Sequence, residues 1–332
     1  MVRIGINGTG RIGRAFLRLA ATESDLEVVA VNDLIEVTTL RHLLRRDSTF
    51  GPFPAPLEVG GDDLLVVGDR KVAVTRNADP GGIDWSAYDV DVVLESTGRF
   101  RSRQLAQVHL AAGARKVVIS SPGQGVDATI VMGVNDDTYD RDRHHVVSNA
   151  SCTTNCAAPM VKVLHDVFGI QHGLMTTVHA YTNDQNLLDA PHQDPRRARA
   201  GAVNIIPTST GAARAVGEVI PAVAGLLDGR ALRVPVVDGS IVDLSVVLDR
   251  NATASEVNAA FSVAARKGPL AGLLSYEDEP LVSSDVVRDP SSCVFDSTLT
   301  QASGQLVKVF GWYDNEWGYV SRLADLVRLV CR

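Results

Sequence analysis

Two groups of residues have the types and spacing to do chemistry. The first is Ser148-Asn149-Ala150-Ser151-Cys152-Thr153-Thr154-Asn155-Cys156. Asn149 and Ser151 are good helix caps, which places Cys152 in the first turn of a helix. A thiol there meets the positive end of the helix dipole, which favours the thiolate and so nucleophilic attack. Cys156 lies one turn further on and reads as a small buried apolar residue. Among the histidines, His179 ends the apolar strand Thr176-Thr177-Val178-His179 and leads into a long polar segment. A histidine so placed can reach a helix N-terminus, which makes Cys152 and His179 the candidate nucleophile and base. His42 and His109 fall in helical patterns and read as packing or surface residues; the other five read as solvated. Zinc is excluded, because the C-x-x-x-C of Cys152 and Cys156 has no second pair and Cys293 and Cys331 stand alone.

The second group is Gly8-Thr9-Gly10-Arg11-Ile12-Gly13, directly after an apolar run and opening a helical pattern. Gly8 permits the tight turn, Gly10 lets backbone approach a pyrophosphate, and Gly13 lets helix pack on strand. The N–H groups of Arg11, Ile12 and Gly13 then face the phosphates from the helix start. Asp33 ends the next apolar run, 20 residues past Gly13, the spacing of an acid that reaches the adenosine ribose. A carboxylate there repels a 2′-phosphate, so the pattern favours NAD over NADP.

The elements that must position these groups change character near residue 150. Before it, apolar runs at 2–7, 26–31, 90–94, 116–119 and 129–131 alternate with helical patterns at 14–21, 37–46 and 103–112, and a hairpin joins 64–67 to 71–74. That alternation predicts βαβ units and a parallel sheet. After it, a helix over 152–168 leads to longer alternating strands at 174–179, 233–237, 240–248 and 306–313, and the chain ends in a helix over 323–330. The Arg-rich stretch 183–204 has little periodicity and reads as a functional loop. With 332 residues, 45 % hydrophobic, the chain buries a large core, which excludes disorder as its main state. A net charge of −7 argues against a dedicated nucleic-acid site or an anionic-membrane surface. Four cysteines make no disulfide framework, and the N-terminus reads as a strand, not a signal peptide. The expectation is a cytoplasmic protein.

The stretches 6–14, 151–156, 177–185, 207–216 and 312–319 resemble glyceraldehyde-3-phosphate dehydrogenase, the phosphorylating, NAD-type family of glycolysis and gluconeogenesis, from first strand to last helix. The resemblance implies a Rossmann domain over 1–151 completed by a C-terminal helix at 316–332, an α+β catalytic domain over 152–315 with a mixed, mainly antiparallel sheet, and a homotetramer. It implies that Cys152 forms a thiohemiacetal and then a thioester, with His179 as base and oxyanion donor. It implies that Thr182 and Arg233 hold the substrate phosphate, with Asp184 orienting them. Ser151, Thr153, Thr210 and Gly211 would hold inorganic phosphate, with Arg197 beside them. Asn315 would bond the nicotinamide carboxamide, Tyr319 would pack near that ring, and Thr97, Gly98 and Ser120 would line the cofactor crevice. The chain departs from the usual pattern at Thr9, where phenylalanine is common, in 75–80, and at Ala190, where many NAD enzymes carry leucine. Two alternatives stand beside this reading. One is erythrose-4-phosphate dehydrogenase, which differs in the segments after the histidine and before the Ala-rich helix. The other is a non-catalytic NAD- or RNA-binding role, which predicts a missing nucleophile, base or phosphate ligand.

Overall fold

The short apolar runs of the first half are buried on both faces, and only a parallel sheet covered by helices uses such strands. The computed structural model describes residues Met1 to Arg332 and divides them into two compact units. The first comprises Met1–Ile130, Asp137–Ala150 and Val320–Arg332. Its sheet runs, strand beside strand, Ala128–Thr129, Val146–Ser148, Lys116–Ile119, Val92–Glu95, Val2–Asn7, Leu26–Asn32, Arg70–Thr75, Leu64–Val67, Leu57–Val59. All pairings are parallel up to Arg70–Thr75, and the last two strands return antiparallel through the hairpin. The two-residue edge strand aside, the six parallel strands stand in the doubly wound order of a dinucleotide-binding fold, and Val2–Asn7 beside Val92–Glu95 is where that order reverses.

The second unit comprises Val131–Asp136 and Ser151–Tyr319. Its mixed sheet runs Ile206–Ser209, Leu227–Val234, Ile170–Ala180, Ser240–Leu248, Leu306–Tyr313, Cys293–Asp296, Leu274–Glu277. Leu227–Val234 and Ile170–Ala180 are parallel, and both Ile170–Ala180 with Ser240–Leu248 and Ser240–Leu248 with Leu306–Tyr313 are antiparallel. The helix Cys152–Phe168 is buried along most of its length against this sheet.

Several expected boundaries move, each for a local reason. The strand expected at 233–237 is Leu227–Val234, because Pro235 stops the ladder and exposed Asp228 and Arg230 masked its apolar alternation. The last helix starts at Trp317, because Asp314 Oδ1 accepts the backbone N–H groups of Glu316 (2.8 Å) and Trp317 (2.6 Å) and caps it early. The helix expected from 14 begins at Arg11, with Gly10 as its cap. The helix expected over 103–112 is two short ones, Arg103–Ala106 and Val108–Ala111.

Candidate active site

Ser151 Oγ accepts the N–H of Thr154 at 3.0 Å and so caps the helix that Cys152 begins. The preceding residue, Ala150, has φ 55°, a left-handed conformation costly for a residue with a Cβ and found where a turn must deliver a functional group. Within the second unit, Cys152 Sγ lies 3.4 Å from Nε2 of His179, near the end of the strand Ile170–Ala180. His179 Nδ1 is 2.6 Å from the carbonyl oxygen of Ala180, a separation that needs a proton between them. Nδ1 therefore carries the hydrogen, and Nε2 presents its lone pair to the sulfur. Arg233, level with His179 on the neighbouring strand, donates from Nη1 to the same carbonyl at 3.1 Å; with the hydrogen on Nδ1, its 2.9 Å approach to that nitrogen sets two N–H groups side by side and is not a hydrogen bond.

Electrostatics give this pair its resting state. Burial and the Arg233 cation bring His179 down to about 3, so its imidazole is neutral. Burial pushes the Cys152 thiol up, against the opposing pull of Arg233 and of hydrogen bonding at Thr153. The thiolate expected from the helix terminus alone is thus opposed by desolvation, and the resting pair is a thiol beside a neutral base.

A residue that the sequence reading did not single out fixes this geometry. The buried phenol of Tyr313 lies 2.9 Å from Thr153 Oγ1, on the helix, and 2.9 Å from Thr177 Oγ1, on the strand. Its ring meets the His179 ring edge-on at 5.9 Å between centroids. Burial holds its pKa well above the ordinary tyrosine range, so it stays a neutral phenol. Ser240 was missed as well: its hydroxyl donates to Asn315 Oδ1 at 2.6 Å and accepts the N–H of Ala180 at 3.1 Å, which orients the Asn315 amide with Nδ2 as its outward donor. Their signal was a hydroxyl at alternate strand positions, visible only once the register is known.

The expected anion ligands already have internal partners. Thr153 bonds Tyr313, and Ser151 caps its helix. Thr210 Oγ1 accepts the N–H of Ala212 at 3.2 Å, and Gly211 caps the helix Ala212–Val219. The amide N–H of Thr182 donates to Gln185 Oε1 at 2.9 Å. Arg197 pairs with Asp184 and reaches the carbonyl of Ser209 at 3.4 Å. Burial works to raise Asp184, and Arg197 overcomes it, holding that carboxylate below the usual range. Tyr319 is buried in the first turns of the last helix.

In the first unit a cavity of about 260 Å³ is lined by Gly8, Gly10, Asp33 and Thr97, together with Asn7 and Asn32, which the sequence reading did not single out, and Asn77 of the stretch 75–80. The backbone fits a dinucleotide's phosphates. Gly8 has φ +96°, and a Cβ there would meet Thr97 N at 2.7 Å; a Cβ on Gly13 would meet Gly8 O at 2.1 Å. Gly10 has nothing within 4 Å, leaving its face open to a ligand. Asp33 Oδ2 accepts both the N–H (2.6 Å) and the hydroxyl (2.7 Å) of Thr9. Arg11, Ile12, Gly13, Gly98 and Ser120 stand outside the lining, and the Arg11 guanidinium turns to Asp47 at 2.5 Å, leaving its backbone N–H at the helix start.

Residues 2–103 match the family described as glyceraldehyde 3-phosphate dehydrogenase, NAD binding domain, and residues 151–315 match its C-terminal domain. Glyceraldehyde-3-phosphate dehydrogenase 2 of Streptomyces arenae is 56 % identical over 330 residues, covering 99 % of this chain and 98 % of that one. The enzyme so named from Mycobacterium tuberculosis is 56 % identical over 335 residues, with the same shares covered. The chain belongs to the glyceraldehyde-3-phosphate dehydrogenase family. It is an NAD-dependent oxidoreductase of that family, with a Rossmann domain and the family's C-terminal domain. No helix is long and apolar enough to cross a membrane.

Proposed function

We propose that this family member oxidises D-glyceraldehyde 3-phosphate, with NAD and inorganic phosphate, to 1,3-bisphosphoglycerate, in glycolysis or gluconeogenesis. The observation that carries the reading is the 3.4 Å approach of Cys152 Sγ to a His179 Nε2 whose lone pair is free for it because Nδ1 is bonded to Ala180. Nε2 takes the thiol proton as sulfur adds to the aldehyde carbon, and the resulting imidazolium donates to the oxyanion of the thiohemiacetal. NAD, when bound, supplies the acceptor for the hydride of the substrate carbon. Gly8, Gly10, Gly13 and the helix start hold its phosphates, Asp33 its adenosine ribose, and Asn315 its carboxamide, with Tyr319 near the ring. Phosphate then displaces Cys152 from the thioester as the acyl phosphate. Arg233 and Thr182 hold the substrate's own phosphate. Ser151, Thr153, Thr210 and Gly211, with Arg197, hold the attacking one, and the hydroxyls and helix starts on which these residues sit support that role.

The relatives at 54–56 % identity carry the glyceraldehyde name, which favours this aldehyde over erythrose 4-phosphate. A homotetramer belongs to the reading. It is supported by Leu187, 83 % exposed, and by Leu188, Val203 and Ile205, all highly exposed on or beside the Arg-rich loop. Light scattering at four times the chain mass is the expected result. Four unpaired thiols fit residence in a reducing cytoplasm. The deciding measurement is the initial rate of nicotinamide reduction with glyceraldehyde 3-phosphate, with NAD or NADP, and with or without phosphate. A rate that needs both NAD and phosphate is expected. Activity undiminished without phosphate would remove the second anion site, and no rate with either cofactor would overturn the reading.

A further inference from the structure

The side chain of Glu95 is buried, with the residue 2 % exposed, and nothing in the chemistry above uses it. Glu95 ends its strand level with Asn7, Asn7 is level with Asn32, and Asn32 with Thr75. These are the last residues of four adjacent parallel strands, on the edge where open α/β sheets bind ligands, and Asn7 and Glu95 flank the reversal of strand order.

Their side chains form one directional hydrogen-bonded chain. Glu95 Oε1 accepts the N–H and the hydroxyl of Thr97 at 2.8 and 2.5 Å. Glu95 Oε2 accepts Asn7 Nδ2 at 2.7 Å. Asn7 Oδ1 accepts Asn32 Nδ2 at 2.8 Å, and Asn32 Oδ1 accepts the N–H of Asn77 at 2.8 Å and the Thr75 hydroxyl at 2.9 Å. On the far side, Trp85 Nε1 lies 3.0 Å from Nδ1 of fully buried His109, whose Nε2 is 3.1 Å from Glu95 Oε2. An indole N–H can only donate, so Nδ1 accepts, the ring proton sits on Nε2, and His109 donates to Glu95. Glu95 thus receives four donors, and each amide beyond it is held in one orientation.

We propose that Glu95 is a positioning residue for the cofactor pocket, fixing Thr97 on one wall and Asn7, Asn32 and Asn77 on the other, with Trp85 and His109 holding its carboxylate in place. The proposal rests on the reading of that cavity as the NAD site. In Glu95→Gln one acceptor becomes an NH₂ facing donors, whichever way the amide turns. Calorimetric titration of the full-length enzyme with NAD should show the dissociation constant raised at least tenfold, and the KM for NAD with it, while kcat at saturating NAD stays near wild type. A purely structural role would instead lower the melting temperature and kcat and leave NAD affinity in the folded fraction alone, and an unchanged affinity overturns the proposal. Should Glu95→Gln fail to fold, His109 decides. His109→Gln keeps both an acceptor for Trp85 and a donor for Glu95, whereas His109→Leu keeps neither, so NAD should bind His109→Leu at least threefold more weakly. Equal affinities in the two overturn the proposal. Failure of wild type to bind NAD would instead overturn the reading of the pocket, which keeps the two outcomes distinct.

Discussion

The two sheets carry polar function in different places. In the first unit Val92–Glu95 and Lys116–Ile119 are buried at every position, so polar side chains gather where strands end, at Asn7, Asn32 and Glu95. In the second, Ser240–Leu248 alternates buried and half-buried positions, and Ile170–Ala180 admits polar residues at intervals of two. Thr177 and His179 therefore share a face, and the parallel register sets Arg233 beside His179. One sheet builds a site from strand ends and backbone; the other builds it from side chains along its strands. Their buried carboxyls differ too. Glu95 is met by four donors, whereas Asp238 has the Gly239 N–H at 2.9 Å and the neighbouring Asp314, and burial with that neighbour pushes it up to about 8.

If the second unit does the chemistry and the first the cofactor binding, removing the nucleophile must separate them. Cys152→Ser should lower kcat by roughly 10³-fold or more, while calorimetry shows NAD affinity unchanged. Residual activity near wild type would end the covalent mechanism. Next in size is Arg233→Leu. Losing a charge-assisted contact to the substrate phosphate should raise the KM for the aldehyde roughly 10–100-fold, with the KM for NAD unmoved. The same variant tests the electrostatics. The Arg233 cation favours the Cys152 thiolate, so its loss should move the midpoint of iodoacetamide alkylation to higher pH than in wild type. A midpoint moving down would contradict that sign.

The contrast also explains what could be read from the sequence. The places of Gly8, Gly10 and Asp33 on the cavity, and of Gly13 packed against Gly8, were legible because a parallel sheet opens its crevice at strand ends, where motif and element boundary coincide. Cys152 and His179 were legible for a similar reason, one starting a helix and the other closing a strand. Tyr313 and Ser240 were not, since their roles depend on a register linking residues more than a hundred positions apart in the first case and about sixty and seventy-five in the second. His109, read as a packing or surface residue, is fully buried in the short helix Val108–Ala111; that it also belongs to a polar network is shown only by its partners Trp85 and Glu95, which lie on other elements. Desolvation of Cys152 was invisible for a like reason: a helix terminus is local, while burial is set by the whole unit.

Asp238 offers a test on stability. Because its carboxyl is pushed up to about 8 from an ordinary 3.8, the folded chain keeps a proton that the unfolded chain releases. Stability contributed by this group is then lost as pH rises between those values. Asp238→Asn is neutral at every pH and can still accept from Gly239. Its melting temperature should fall less than that of wild type between pH 6 and pH 8. Parallel slopes would mean that Asp238 is not the group responsible.

The smallest expected effect concerns Thr9, which stands between the first two glycines of the motif. Thr9 gives Asp33 Oδ2 two donors, an N–H at 2.6 Å and a hydroxyl at 2.7 Å, and Thr9→Val removes only the second while keeping the branched shape. Asp33 is half-buried, so water replaces part of the lost bond, and the net cost is about 0.5–1 kcal/mol. That corresponds to a rise of roughly two- to fivefold in the KM for NAD, with the KM for the aldehyde and kcat unchanged. The size matters as much as the direction. An effect as large as that of Glu95→Gln would show that the contact between buried Thr9 and half-buried Asp33 orders the cofactor as strongly as the row of strand-end residues does. An effect confined to kcat would place Thr9 outside cofactor binding and break the division of labour between the two sheets.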